Sequence, residues 1–363
     1  MQRNLLRCAQ ALRERGHEVS VVCTHWEGRV PEGLELVVLP NRSPTNHGRN
    51  RTFAHDLQAW VAHRRPDVVV GFDKLPGLDI YYAADPCLAA RVNERAMASL
   101  WRILPRYRTL LGFERAIFGK GSPTRILLHA PAQKALYEAS WGTEPSRFIE
   151  LPPGLDTRRL DVEVPEDRVA LRQSFGLGGE RPLLLLVGSS FRTKGVDRFL
   201  GLIRSLPEVQ GLVVGRDELD HWRGSARRLG IADRVVFSGP RDDVVRAYRA
   251  ADLLVHPARV ENTGNTLLEA MYCGLPVLCS GVCGFSVHVE RAGAGWVLEA
   301  PHDAEAWRSR TESALADESD RMAKGERGRR YCREHDLHSL IDRAVAAIES
   351  HGRRPSLIPE GGR

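Results

Sequence analysis

The sequence predicts an α/β protein built as two successive parallel-sheet domains. Three observations carry this. Short β-branched runs alternate with helical stretches along the chain, the alternation pauses and restarts near residue 150, and 363 residues suit two domains better than one. Strands are expected at 18–23, 34–39, 67–72, 79–83, 125–129 and 147–151, and again at 182–187, 211–214, 234–237, 251–255, 275–279 and 295–298. Each is a near-continuous apolar run, as in strands covered on both faces. The turn-rich stretch 151–165, with Pro152-Pro153-Gly154, marks the boundary. This gives a first domain over 1–155, a second over 156–335, a helix over 336–352 crossing back to the first, and a disordered Pro- and Gly-bearing tail over 353–363.

Composition narrows the class. Hydrophobic residues make up 42% and charged residues 27%, the balance of a soluble globular protein. No run approaches the roughly 18 apolar residues of a membrane span, and residues 1–13 lack the apolar core of a secretory signal. Seven irregularly spaced cysteines read as reduced thiols in a cytosolic protein. The net charge is +6, and only five of the 52 basic residues are lysines. That surplus of arginine suits phosphate-rich partners, and equally a base-composition bias, so where the arginines cluster says more than their number.

The chain opens in an amphipathic helix (Leu5, Leu6, Cys8, Ala9, Leu12) closed by Gly16. A doubly wound domain normally places a strand and a glycine-rich turn before such a helix, and both are absent here.

The strongest chemical signal is Glu261-Asn262-Thr263-Gly264-Asn265-Thr266-Leu267-Leu268-Glu269, at a strand-to-helix junction. Free N–H groups at a helix start bind phosphate, a glutamate before the turn can accept sugar hydroxyls, and one two turns into the helix can reach a ribose diol. The competing reading is a capped helix carrying incidental acids. A second signal is the strand Leu184-Leu185-Leu186-Val187-Gly188 running into Ser189-Ser190-Phe191-Arg192-Thr193-Lys194-Gly195-Val196-Asp197, where a lysine before a helix can neutralise a diphosphate.

Together with Met271-Tyr272-Cys273-Gly274-Leu275-Pro276-Val277, these segments resemble the donor-site signature and phosphate loop of glycosyltransferase family 4. The resemblance implies the GT-B fold, two Rossmann-like domains with the site in an interdomain cleft, and a retaining enzyme. Further segments resemble the lipopolysaccharide-core heptose glucosyltransferases of that family: Ser43-Pro44-Thr45-Asn46-His47-Gly48-Arg49-Asn50, Val70 to Asp79, Tyr81 to Asp85, Phe113-Glu114-Arg115-Ala116 and Val282-Cys283-Gly284. The implied reaction moves glucose from UDP-glucose to a heptose of the lipid-linked inner core, by front-side attack in which the leaving phosphate helps deprotonate the acceptor. The UDP-sugar is a substrate, and no cofactor is expected.

Carried over by position, Glu261 binds the donor hexose and shares the catalytic role with Asp85, which faces the anomeric centre. Glu269 binds the ribose. Arg159 and Lys194 hold the diphosphate beside the turn Thr263, Gly264 and Asn265, and Arg192 stands in for the arginine that many members carry where this chain has Ser189. Asn46, His47, Arg49 and Lys74 are assigned to the acceptor; for His47 the residues themselves argue, since so polar a loop is hard to justify by packing. The first strand and its Gly-Gly loop are missing relative to the family, and Asn4 replaces an aspartate. A start assigned too late at an internal methionine competes with a true truncation, and unpaired backbone favours the former.

Segment 90–125 holds Arg91, Arg95, Arg102, Arg106, Arg108, Arg115, Lys120 and Arg125 among Trp101, Tyr107, Phe113 and Phe118, against only Glu94 and Glu114. It reads as an anionic-membrane surface through Trp101, Arg102, Arg106 and Arg108, with Pro105 splitting it into two helical pieces; an ordinary solvated face is the alternative. With the lipid-linked acceptor that the resemblance implies, the protein is expected in the cytoplasm, peripherally on the inner membrane, and no nucleic-acid motif accompanies the charge. Cys273, Cys279 and Cys283 lack a second ligand pair with zinc spacing and read as core thiols, and His256 as a strand-end residue touching the cleft. The resemblance to GT-B enzymes implies a metal-independent enzyme, in which a helix start and basic side chains replace the metal, and the lack of an Asp-x-Asp pair at a strand end agrees with it. Another family 4 enzyme with a different donor or acceptor, or a non-catalytic nucleotide-sugar binder, are the alternatives.

Overall fold

The computed structural model describes residues 2–40, 43–178 and 180–352, and the expected tail over 353–363 lies outside them. The chain divides into two compact units, Met1–Pro152 with Ser339–Arg363, and Pro153–His338.

The first unit runs α1 (Gln2–Glu14), β1 (Ser20–Cys23), β2 (Glu35–Val38), α2 (Asn46–Arg64), β3 (Val70–Gly71), β4 (Ile80–Ala83), α3 (Leu88–Asn93), α4 (Ala98–Ile103), α5 (Pro105–Phe118), β5 (Arg125–Leu128), α6 (Gln133–Trp141) and β6 (Phe148–Glu150). Its strands form two separate parallel groups, β1-β2 and β3-β4-β5-β6. Among the described residues the second edges of β1 and β3 take no strand partner. Both edges, with Leu5, Leu6, Ala9 and Leu12 of α1, line a cavity of about 1690 Å³. This corrects the expectation that every strand is covered on both faces: in β2, Glu35 and Val38 are exposed.

The second unit runs α7 (Arg168–Ser174), β7 (Leu183–Val187), α8 (Phe191–Lys194), α9 (Val196–Ser205), β8 (Gln210–Val214), α10 (Leu219–Arg228), β9 (Val235–Gly239), α11 (Val244–Ala250), β10 (Leu253–His256), α12 (Asn265–Tyr272), β11 (Val277–Ser280), α13 (Ser286–Ala292), β12 (Gly295–Leu298), α14 (Ala304–Ala316) and α15 (Glu318–Glu334). Its six strands order as β12-β11-β10-β7-β8-β9, all parallel. The side-chain period of two sends Leu183, Leu185 and Val187 into one core with Leu254, Val277 and Cys279, and Leu184 and Leu186 into the other with Val255 and Leu278. Strand order reverses between β7 and β10, and in open parallel sheets ligands bind outside the carboxyl ends of the strands at such a reversal.

The last helix, α16 (Leu340–Gly352), belongs to the first unit. Its apolar stripe Leu340, Ile341, Ala344, Val345 and Ile348 packs with Cys8 of α1 and with Ile80, Tyr82 and Leu127 of β4 and β5. Each of the larger side chains contributes about 1.5–3 kcal/mol by leaving water. Arg15 and His17 add exposed contacts to Glu349, worth little beside that burial.

Candidate active site

The loops after β7 and β10 bring the two sequence signals together in the second unit. After β7, Ser190 takes a left-handed φ of 58° and starts the single turn α8, whose first amide, Phe191 N–H, donates to Asp217 Oδ2 at 2.6 Å. Gly195 ends that turn at a φ of 77°, and an added Cβ there would collide with the Pro257 carbonyl, so only glycine lets the two loops approach. The Thr193 carbonyl accepts the Arg259 amide at 2.8 Å, and Arg259 grips Asp197 through two bonds of 2.6 Å. Lys194 is thereby held beside the loop that follows β10.

On that loop, Glu261 Oε2 accepts from Lys194 Nζ and from His256 Nε2, the latter at 3.3 Å. The Glu261 side chain is only 11% exposed and His256 is fully buried. Burial pushes the Glu261 carboxyl upward, but the hydrogen bond from His256 and the charge of Lys194 outweigh it and hold the group down to about 2. It is a permanent carboxylate acceptor. Glu261 also makes a parallel bridge with Cys283, and the Phe285 amide donates to the Thr263 carbonyl at 2.8 Å, so Val282-Cys283-Gly284 braces the turn from behind.

Gly264, at a φ of 103°, opens α12. Asn265 Oδ1 and Thr266 Oγ1 in its first turn are buried without a hydrogen-bond partner among the described residues, an arrangement that a polar ligand would relieve. One turn further, Glu269 Oε2 accepts from the fully buried Tyr248 hydroxyl at 2.7 Å. Burial, then the Glu269 charge, raises the Tyr248 phenol well above its ordinary value, so it stays a donor, while the charge of Arg159 acts on it in the opposite sense. Arg159 is half-buried at the end of a 3-10 turn; Arg192 is exposed on α8. The second unit therefore offers an acceptor carboxylate, a lysine, a helix start and a second oriented carboxylate around the ends of β7 and β10, which is what a diphosphate flanked by two polyols requires. Sequence reasoning missed Asp217 and Tyr248 and gave His256 no task.

Among known proteins, residues 1–159 match Glycosyltransferase Family 4 and residues 167–331 match the glycosyl transferases group 1. The chain is 39% identical over 354 residues to the lipopolysaccharide glucosyltransferase WaaG of Escherichia coli K12, covering 96% of this chain and 94% of that one. The chain belongs to glycosyltransferase family 4. A crystal structure of WaaG, a glycosyltransferase involved in lipopolysaccharide biosynthesis, aligns with a TM-score of 0.89 over 96% of this chain and 95% of that one. A sucrose-phosphate synthase from Thermosynechococcus elongatus, 20% identical, shares the fold at a TM-score of 0.73 over 96% and 91% of the two chains. The two parallel-sheet units are those of the GT-B fold, and the chain is a glycosyltransferase.

In this family 4 chain the residues expected to meet the acceptor and the membrane lie in the first unit. Asp85 follows β4, half-buried, and its charge, after partial desolvation, raises the Asp73 carboxyl that follows β3. The segment holding Asn46, His47 and Arg49, expected as a polar loop, is instead the first turn of α2. Thr45 caps it by accepting the Gly48 amide at 3.1 Å, and Arg49 Nε donates to the Ser43 carbonyl at 2.9 Å, so part of its polarity is capping chemistry. Lys74 is not free for a ligand as expected: Nζ donates to Glu114 Oε1 at 2.5 Å and to the Pro86 carbonyl at 2.9 Å, which ties down the turn carrying Asp85.

Glu114, expected to offset the basic surface, is fully buried, which leaves that face more positive. Leu104 and Pro105 break the segment into α4 and α5. Trp101 is half-buried, edge-on to Tyr107 at 5.3 Å, with the Arg95 guanidinium 4.6 Å above it. The apolar side chains that stand out are Met97, Leu100, Ile103 and Leu104, beside exposed Arg102, Arg106 and Arg108. Among the described residues no helix is long and apolar enough to cross a membrane, and no three His, Cys, Asp or Glu are grouped to hold a metal, the cysteine run included.

Proposed function

We propose that this glycosyltransferase moves glucose from UDP-glucose to a heptose of the lipopolysaccharide inner core, with retention, without a metal ion, and docked on an anionic membrane from the cytoplasmic side. The observation that carries the reading is 39% identity, across 96% of the chain, to a lipopolysaccharide glucosyltransferase. In this reading Glu261 receives the hexose hydroxyls, Glu269 the ribose, and Lys194, Arg159, Arg192 and the start of α12 the diphosphate. Asp85 serves the reacting centre, and Asn46, His47 and Arg49 the acceptor, with Lys74 acting through the turn it anchors. The decisive assay offers UDP-glucose, UDP-galactose and GDP-mannose with a heptose-terminated lipopolysaccharide acceptor. Incorporation of glucose is expected. Incorporation of another sugar would move the chain elsewhere in its family, and UDP binding with no transfer would leave a binder.

Cationic side chains and a helix start can neutralise the departing diphosphate. Turnover is therefore expected to survive EDTA, and activity restored only by Mg²⁺ or Mn²⁺ would overturn metal independence.

For docking, exposed arginines beside Leu100, Ile103 and Leu104 suit an anionic interface, each cation contributing about 1 kcal/mol. Vesicle binding is expected to require anionic lipid and to weaken as salt rises. Changing Arg102, Arg106 and Arg108 together to Ser should reduce it and leave UDP binding intact; equal binding by the triple variant would return the segment to a solvated face.

A further inference from the structure

We infer that His256 is a positioning residue for sugar transfer: it fixes which oxygen of Glu261 is presented to the donor hexose. The inference deepens the donor-site reading above and rests on it.

The position is unusual for a histidine. It ends β10, whose other residues Leu253, Leu254 and Val255 are fully buried apolar side chains, and His256 is itself fully buried. An apolar residue would fill such a place at less cost, because a buried imidazole must be hydrogen-bonded to offset its desolvation. His256 makes one polar contact among the described residues, Nε2 to Glu261 Oε2 at 3.3 Å, and its Nδ1 is buried without a partner. The ionised carboxylate only accepts, so Nε2 carries the proton and donates. The polarity of this side chain thus has a single outlet, and that outlet is Glu261.

The contact is also one-sided. Lys194 and His256 both donate to Oε2, and Oε1 accepts from no described residue. Oε1 is therefore the oxygen left for a hydroxyl of the ligand. The two donors differ in how firmly they are held. Lys194 is a flexible ammonium, 19% exposed, on the same loop as the expected diphosphate, and two phosphates compete strongly for it. His256 has no exposed surface and sits on a strand end paired in register with Cys279. When the donor draws Lys194 toward phosphate, His256 remains to hold Oε2. Without it the carboxylate is free to turn, and the geometry that favours the transition state over the bound substrate is lost.

Three variants test this, with Glu261→Ala as the reference for the site. His256→Gln can place an amide N–H near the position of Nε2; His256→Asn is too short to reach Glu261; His256→Leu has no donor. With a charge-assisted hydrogen bond at stake, kcat for glucose transfer should fall about tenfold to a hundredfold in His256→Asn and His256→Leu. The Kd for UDP and the KM for UDP-glucose should stay within about threefold of wild type, and His256→Gln should recover most of kcat. A merely structural histidine would instead lower the melting temperature and UDP affinity alike in all three. Equal kcat for the Gln and Asn variants, or wild-type kcat in His256→Leu, would overturn the inference; the Gln–Asn comparison still decides if His256→Leu does not fold. Glu261→Ala with wild-type turnover would overturn the donor-site reading and this inference together. Loss in Glu261→Ala with full activity in every His256 variant would overturn the inference alone.

Discussion

Glu261→Ala is expected to lower sugar transfer by about a hundredfold to a thousandfold while changing UDP affinity little. The side chain is mostly buried, Lys194 and His256 both donate to its Oε2, and Oε1 is the oxygen that the proposed reading offers to the sugar. Removing it strands a lysine and a histidine together, a loss of the size seen when one preorganised polar group leaves an active site. Glu269→Ala should do the opposite, weakening UDP binding by about 1–3 kcal/mol through loss of a partly buried acceptor. Calorimetry with UDP beside turnover measurements separates the two. Unchanged UDP binding by Glu269→Ala together with unchanged turnover by Glu261→Ala would remove both from the site. The pH dependence follows in sign. With its folded value lowered to about 2, Glu261 contributes stability that is fully present above the ordinary carboxyl range and lost only as pH falls through the folded value. Any loss of activity between pH 5 and 7 must then arise from another group.

The second large effect is expected in the first unit. Glu114, with no exposed surface, accepts the Leu88 and Ala89 amides at 2.8 Å each, Trp141 Nε1 at 3.1 Å and Lys74 Nζ at 2.5 Å. Glu114→Ala leaves a nearly buried ammonium without its counter-charge and three N–H donors without an acceptor. Breaking a buried pair from one side typically costs about 3–5 kcal/mol. Glu114→Gln keeps an oxygen in place and should cost less. Thermal unfolding of the full chain should show the Ala variant melting well below the Gln variant, with the loss in the first unit. Equal melting of the two with wild type would mean that the network contributes nothing. Because Lys74 also holds the Pro86 carbonyl, acceptor-dependent turnover should fall in Glu114→Ala before UDP binding does.

The residues proposed for the donor site stand out in the sequence because they are carried by short contiguous segments with sharp local punctuation. Glu261, the turn at Gly264 and Glu269 lie within nine residues, and Gly188 to Lys194 within seven. His256 and Tyr248 were not legible as partners of those glutamates. A histidine ending an apolar strand and a tyrosine in a neighbouring helix look the same in sequence whether or not a carboxylate lies beside them. The ion pair of Lys74 was not legible for the same reason: its partner Glu114 is forty residues away on α5.

Local sequence by itself determined the strands found among the described residues and their alternation with helices, because the apolar runs and glycine–proline breaks act within a few residues of chain. It also determined the break at Pro105, since proline lacks the N–H that a continuous helix needs. Only the tertiary structure decided which charges remain available. Glu114 turned inward and Arg95 folded over Trp101, so the exposed face of α4 and α5 is more basic and more aliphatic than its composition reads. Only the tertiary structure separated β1-β2 from β3-β4-β5-β6, because pairing depends on which edges meet and not on how each strand is written. And only packing showed that one buried imidazole spends its single hydrogen bond on Glu261, since the free energy of a buried polar group depends on what surrounds it in three dimensions.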